Sequence, residues 1–280
     1  EVLIGIEDNK PEAIECMRLA VAESDIRDSA AVVPIPTIYP SGGEKQLIRV
    51  LTGKEVPSHG IPAQIGILCH NVGTAAAVAD AVLEGRPLIS RYVTLSGRGF
   101  ANPRNLEVRI GTQVSELIEQ VGGMDAGVHK LVLGGPMMGF DLASTEVPVT
   151  KAANCLLALM PQESPDPGPA LACIRCGTCA EVGPASLLPQ QRDWYARAKD
   201  LDKVQDYNLF DCIECGCCAQ VCPSHIPLVH YYRYAKTESW TREQDKRRAE
   251  HARARHEARE ARLERQERER KEKLRQRKEA

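Results

Sequence analysis

The 280-residue chain lacks any stretch approaching the roughly eighteen apolar residues that a membrane-spanning helix needs, so no span is expected. No basic segment precedes its first apolar run: it opens Glu1-Val2-Leu3-Ile4, and no signal peptide is expected. The missing initial Met and that immediate strand-like start point to a fragment. Neither a GxGxxG nor a P-loop motif occurs, which removes the fingerprint of a conventional dinucleotide fold. HExxH and Ser/His/Asp arrangements are missing too, so hydrolytic chemistry has no support. An excess of one charge is also lacking. With 36 Lys+Arg against 38 Asp+Glu, the formal charge of −2 excludes a uniformly basic chain, and no nucleic-acid partner is expected.

That average covers two unlike parts. Residues 241–280 hold 16 Lys+Arg and 10 Asp+Glu, whereas residues 1–240 hold 20 and 28. The basic part has Leu263 and Leu274 as its only large aliphatic side chains, too few for a coiled-coil seam. Neighbours at i,i+4 such as Glu264 and Arg268 can support a solvated helix. A charged tail, helical or disordered, is the expectation for 241–280. The functional alternative is an electrostatic contact with an acidic partner or a membrane surface.

Ahead of it, strands and helices alternate. Val2, Leu3, Ile4 and Ile6 form a short apolar run, and Asn9 with Glu12 resembles a capping box opening a helix. Ala31 to Ile35 leads through Tyr39-Pro40-Ser41-Gly42-Gly43 into a helical segment at Glu44 to Ile48. Ile65 to Leu68 reads as a third strand, feeding His70-Asn71-Val72-Gly73-Thr74 and an Ala-rich helix over 75–84. This order predicts an α/β domain over residues 1–87, with ligands at the carboxyl ends of its strands. Residues 88–150 change character. Tyr92 to Leu95 and the alternating Leu106, Val108 and Ile110 read as strands, Thr112 as a helix cap, and Val128 to Leu133 as another strand. A small sheet with one packed helix is expected there. Four prolines between Pro161 and Pro169 mark residues 151–170 as a linker.

Eight of the 11 cysteines lie between Cys173 and Cys222, and this crowding favours a metal or redox site over structural disulfides. Cys212, Cys215, Cys218 and Cys222 form C-x2-C-x2-C-x3-C-P, the ligand run of bacterial-type iron–sulfur proteins. Three thiolates at this spacing wrap three corners of a cubane, Gly216 leaves room for the cluster, and Pro223 redirects the chain. Cys173, Cys176 and Cys179 repeat the first three ligands, followed by Gly183-Pro184 where a cysteine and proline would stand. In two-cluster ferredoxins the fourth cysteine of each run ligates the other cluster. The first cluster then takes Cys173, Cys176, Cys179 and Cys222; the second takes Cys212, Cys215 and Cys218 and lacks a thiolate at 183, so a 3Fe–4S or a labile 4Fe–4S cluster is expected there. Zinc also uses paired cysteines, but two nested three-cysteine runs exceed its four ligands. Cys217 is read as packing, and Cys16, Cys69 and Cys155 as buried core thiols. His70, His225 and His230 show no ligand spacing, with His225 the nearest in sequence to the second run. A cluster domain over 171–240 is expected.

The chain resembles the C subunit of the Rnf (Rsx) electron-transport complex over residues 1 to about 240. The likeness rests on Ile4-Gly-Ile-Glu-Asp-Asn-Lys-Pro-Glu12, Tyr39-Pro-Ser-Gly-Gly-Glu-Lys-Gln-Leu-Ile48 and Gly134-Gly-Pro-Met-Met-Gly139. It continues through Leu187-Leu-Pro-Gln-Gln191, Tyr207-Asn-Leu-Phe-Asp-Cys-Ile-Glu-Cys-Gly-Cys-Cys218 and Cys222-Pro-Ser-His-Ile-Pro227. The resemblance implies a partial flavin- and NADH-binding domain similar to the 51-kDa subunit of respiratory complex I, a β-grasp domain, and a two-cluster 4Fe–4S domain. By the same resemblance, Gly43, Glu44, Asn71 and Thr74 match the remaining half of an FMN and NADH pocket, and Gly183 replaces the family's cysteine. It further implies a peripheral subunit on the cytoplasmic face of the bacterial inner membrane, held there through partner subunits. Such a subunit passes electrons between NADH and ferredoxin in an ion-translocating oxidoreductase, and this fragment alone is not expected to be fully active. Two other readings share these motifs: a soluble corrinoid or quinone reductase, and a non-catalytic scaffold.

Overall fold

A computed structural model describes residues 1–164 and 168–279. The chain divides into two compact units, one made of residues Glu1–Gln190 with Phe210–Val229, the other of Gln191–Leu209 with His230–Ala280.

The first unit begins with β1 (Val2–Glu7) and β2 (Ala30–Ile35), which pair in parallel from Val2↔Ala30 to Glu7↔Ile35. Parallel pairing needs a crossover, and α1 (Pro11–Glu23) supplies it. Pro11 occupies the first helical turn, where a missing N–H costs nothing. The cap is Lys10, not Asn9, and no side chain caps the helix, because the Asn9 amide oxygen accepts from Lys10 Nζ at 3.1 Å. α2 (Glu44–Thr52) buries Ile48 and stops at Gly53, whose N–H reaches the Arg49 carbonyl. The expected third strand does not form. Pro62–Ile65 makes one turn of 3-10 helix, and Gly66 at φ 73° turns the chain away before Leu68 can extend along the sheet. α3 (Val72–Leu83) follows, capped by Asn71.

The next layer is a five-stranded sheet. Its strands are β3 (Ser90–Ser96), β4 (Arg104–Arg109), β5 (Lys130–Leu133), β6 (Phe140–Asp141) and β7 (Cys155–Leu159), in the order β4-β3-β7-β5-β6. β3 and β7 run parallel; the other neighbours are antiparallel. α4 (Val114–Gln120) packs on it, and Val93, Leu95, Val114, Leu117, Val121 and Leu156 form a continuous buried core. The helix starts one residue later than Thr112 implies, at Gln113, whose N–H donates to Glu116 Oε1 at 3.3 Å. A larger correction concerns the linker: residues 155–159 are the central strand of this sheet. Cys-Leu-Leu-Ala-Leu, buried through its middle, lacks the alternation that betrays a half-exposed strand, and the prolines behind it masked it. Residues 165–167, the middle of the proline run, lie outside the described residues. Two four-residue helices, α5 (Thr178–Glu181) and α8 (Cys217–Gln220), also belong to this unit.

The other unit is helical. It holds the end of α6 (Pro189–Arg197), α7 (Leu201–Asp206) and α9 (Leu228–Glu279) from His230 onward. Ala196, Val204 and Tyr232 are fully buried, and the Arg192 guanidinium lies over the Tyr232 ring at 4.7 Å. α7 is capped by Asp200, which accepts from the Lys203 N–H at 3.1 Å. α9 runs 52 residues, a length of about 78 Å. Residues 241–278 are exposed throughout, so the charged tail is a solvated helix along its described length. Arg247 with Glu243, and Lys271 with Glu267, pair at i,i+4 along it.

Candidate iron–sulfur centres

The two cysteine runs have one backbone design, displaced by 39 residues. In the first run Arg175 and Gly177 stand at φ 60° and 84°; in the second, Glu214 and Gly216 stand at 60° and 86°. Each glycine opens a short helix, α5 after Gly177 and α8 after Gly216. Beyond the helices, Ser186 and His225 again match, at 48° and 51°. Left-handed residues two positions apart curl the chain so that successive cysteines face a common centre. A side chain could not stand at Gly216, because its Cβ would lie 2.9 Å from the Met137 carbonyl oxygen. This part of the first unit thus brings the Gly134–Gly139 loop against the second run.

Cys173, Cys176 and Cys222 lie within electrostatic reach of Cys179. Burial pushes the Cys179 thiol up, and the other three sulfurs add to the rise. Its Sγ lies 3.7 Å from Gln190 Oε1. Cys176, exposed, is shifted down by hydrogen bonds from Thr178. Two bonds tie the entry of the first run to the exit of the second. The Leu171 N–H donates to the Ser224 carbonyl at 2.9 Å, and buried Ser224 Oγ donates to the Ala172 carbonyl at 2.9 Å. They bracket Cys173 and Cys222 and hold them on the same side. Cys215 and Cys218 are buried, and Cys217 is hydrogen-bonded to Cys215. Burial, then Cys215, holds the Cys217 thiol at about 11, a protonated group.

All eleven cysteines are thiols, without disulfides. Among the described residues, no three His, Cys, Asp or Glu side chains stand as close as ligands on one metal ion. A cubane takes each thiolate on a different iron, so its ligands stand farther apart than that. The donor set suits such a cluster at the first centre, with four thiolates, and at three corners of the second. The remaining cysteines depart from the core-thiol expectation. Cys16 is exposed on α1, and Cys69 and Cys155 are only partly buried, which still pushes both thiols up.

Sequence pattern missed the contacts that seat the second run. Tyr39 Oη donates to the Cys215 carbonyl at 2.7 Å. Burial, with Cys215 and Cys217 nearby, pushes the Tyr39 hydroxyl up to about 12, so it remains a donor at any physiological pH. Asp211, one residue before Cys212, accepts from Ser58 Oγ at 2.5 Å and pairs with Lys45 at 3.8 Å. A Cβ at Gly43 would lie 3.5 Å from Ile213 Cδ1. Only the spacing of these residues from the Gly-rich segment hinted at them, and that spacing has no pattern of its own.

The residues matched to a flavin and nucleotide pocket lie at the N-termini of two helices, α2 and α3. Gly43 is the cap of α2 and Glu44 its first residue. Asn71 caps α3, its side-chain oxygen accepting from the Gly73 N–H at 2.9 Å, while the Thr74 N–H donates to the Asn71 carbonyl. Glu44 contributes, after burial, to the raised Cys69 thiol, which places these two segments within electrostatic reach of each other. Both helix N-termini carry positive dipole ends suited to phosphate groups.

Three family models match the chain: the Nuo51 FMN-binding domain at residues 1–80, the SLBB domain at 92–141 and the 4Fe-4S dicluster domain at 172–226. The chain is also 54 % identical over 259 residues, 92 % of its length, to the C subunit of the ion-translocating oxidoreductase complex of Pseudomonas aeruginosa. It spans 33 % of that relative's length. The resemblance drawn from the motifs and the three-part fold class are both borne out by these matches. Among the described residues no helix is long and apolar enough to cross a membrane.

Proposed function

We propose that this chain, a segment similar to the C subunit of ion-translocating oxidoreductase complexes, is an electron-transfer module that holds two iron–sulfur clusters beside a partial flavin domain. The observation that carries the reading is the doubled cysteine run with matched backbone, with Cys173, Cys176 and Cys222 within electrostatic reach of Cys179. A bound cluster supplies a one-electron carrier whose charge is delocalised and whose geometry changes little. The chain does the rest. Cys173, Cys176, Cys179 and Cys222 hold the first centre, and Cys212, Cys215 and Cys218 the second. Ser224 locks the crossing of the two runs. Tyr39 and Lys45 clamp the second run onto the segment around Gly43 and Glu44, and Ser58, beyond α2, adds a bond to Asp211.

That clamp favours the second centre as the one facing the flavin side. Gly43, Glu44, Asn71 and Thr74 are proposed to orient the phosphate end of FMN and, with it, NADH. In the complete protein the reaction is electron exchange between NADH and ferredoxin, coupled to ion movement by partner subunits. Those partners hold the segment peripherally at the cytoplasmic face of the inner membrane. Domain limits of 1–87, 88–159 with β7 included, 171–240 and 241–280 are proposed with it.

Anaerobically isolated or reconstituted chain is expected to be brown and to contain iron with acid-labile sulfide. Stoichiometric zinc without sulfide would refute the cluster reading. Clusters that neither NADH nor ferredoxin can reduce in the complete complex would refute the electron-transfer role.

A further inference from the structure

We infer that the second centre binds its cluster through only three thiolates of this chain, Cys212, Cys215 and Cys218, leaving one iron open to an exchangeable non-protein ligand. The inference rests on the electron-transfer reading above and concerns how this particular chain departs from a symmetric pair of clusters.

The 39-residue repeat places Gly183 opposite Cys222. Its register is intact on both sides of that position, because Gly177 matches Gly216 before it and Ser186 matches His225 after it. No insertion has shifted a neighbouring side chain into the missing place. Nor does the backbone demand glycine there. Gly183 does not adopt a left-handed φ, and a Cβ built on it meets nothing within 4 Å. Gly97, by contrast, has φ 102° and would drive a Cβ to 2.3 Å from the Ala158 carbonyl oxygen. Position 183 is therefore shaped for a side chain and carries none.

Cys217 does not take the open corner. It precedes Cys218 on α8, and consecutive helical side chains diverge by about 100°. With Cys218 directed at the cluster, Cys217 points elsewhere, and its thiol is engaged by Cys215. It acts on a ligand and does not replace one.

An iron held by three sulfides and no thiolate is the first to leave on oxidation. A one-electron oxidant such as ferricyanide takes one electron and becomes ferrocyanide. The 4Fe–4S cluster in its 2+ state then releases Fe2+ and becomes a 3Fe–4S cluster in its 1+ state, with all four sulfides retained. The first centre, with four thiolates, is spared.

The test uses the full 280-residue chain loaded anaerobically and exposed to limited ferricyanide. The unaltered chain is expected to lose about one iron per molecule and to develop the EPR signal of a three-iron cluster. Gly183→Cys is expected to retain that iron and show no such signal. Should that variant fold poorly, the mirror substitution Cys222→Gly opens the first centre in the same way and raises the loss to about two irons. Full iron retention by the unaltered chain would overturn the inference. If the unaltered chain keeps all its iron and Cys217→Ser or His225→Ala loses one, that residue is the fourth protein ligand and the inference falls. Absence of acid-labile sulfide from every variant would refute the cluster reading itself, a separate outcome.

Discussion

Replacing Tyr39 by Phe removes one hydroxyl and leaves the ring, and so isolates the bond that Tyr39 Oη makes to the Cys215 carbonyl at 2.7 Å. A neutral hydrogen bond of this kind contributes about 1 kcal/mol net, equivalent to roughly a fivefold change in an equilibrium constant. The Ser58 bond to Asp211 lies outside the 38–47 segment and stays in place, and within that segment the other tie is weaker. Lys45 and Asp211, 3.8 Å apart and partly exposed, add well under about 1 kcal/mol. Local opening of the 38–47 segment is therefore expected to rise about fivefold in Tyr39→Phe. Hydrogen exchange of the Ser41 and Gly43 amides, which bond to the Ile38 and Pro40 carbonyls, reads this directly. Exchange in the β3–β4 pair serves as an internal control and should not move. Unchanged exchange at Ser41 and Gly43 would mean that the hydroxyl does not hold the loop, and the clamp argument would fail.

Leu156, 1 % exposed at the centre of the five-stranded sheet, should cost about 2–5 kcal/mol on truncation to Ala, measured by urea unfolding; a loss below about 1 kcal/mol would show that the site collapses around the cavity. Burial raises the Asp193 carboxyl, although Arg197 at 3.8 Å opposes it, so the folded state keeps this proton to higher pH than the unfolded chain. Stability should then fall as pH rises from the ordinary carboxylate value near about 4 through the raised one, and stay level above it. Asp193→Asn should flatten that fall in thermal unfolding curves; an unaltered slope would assign it elsewhere. Deleting residues 241–280, exposed over their described length, should leave iron and sulfide content unchanged, and loss of either cluster would contradict this. If the deletion lowers retention on anionic vesicles only at low salt, the tail contributes an electrostatic contact.

What the sequence determined by itself was the chemistry and the local conformations that neighbours in the chain dictate. Cysteine spacing in two runs specifies a cubane whatever fold surrounds it, because ligand reach depends on a few residues of backbone. Alternating apolar positions such as Val93 and Leu95 likewise announce a strand, and Asn71 before Val72 does announce a helix. Tertiary structure decided whatever depends on residues far apart. Cys155–Leu159 became a central strand because β3 and β5 flank it, a fact no periodicity inside five apolar residues can carry. Ile65–Leu68, equally apolar, failed as a strand because Gly66 turned it. The seating of the second run on Tyr39, Lys45 and Ser58 joins residues separated by as many as 176 positions. The tolerance of position 183 for a side chain was equally hidden, since a glycine in sequence looks the same whether its backbone demands it or merely accepts it.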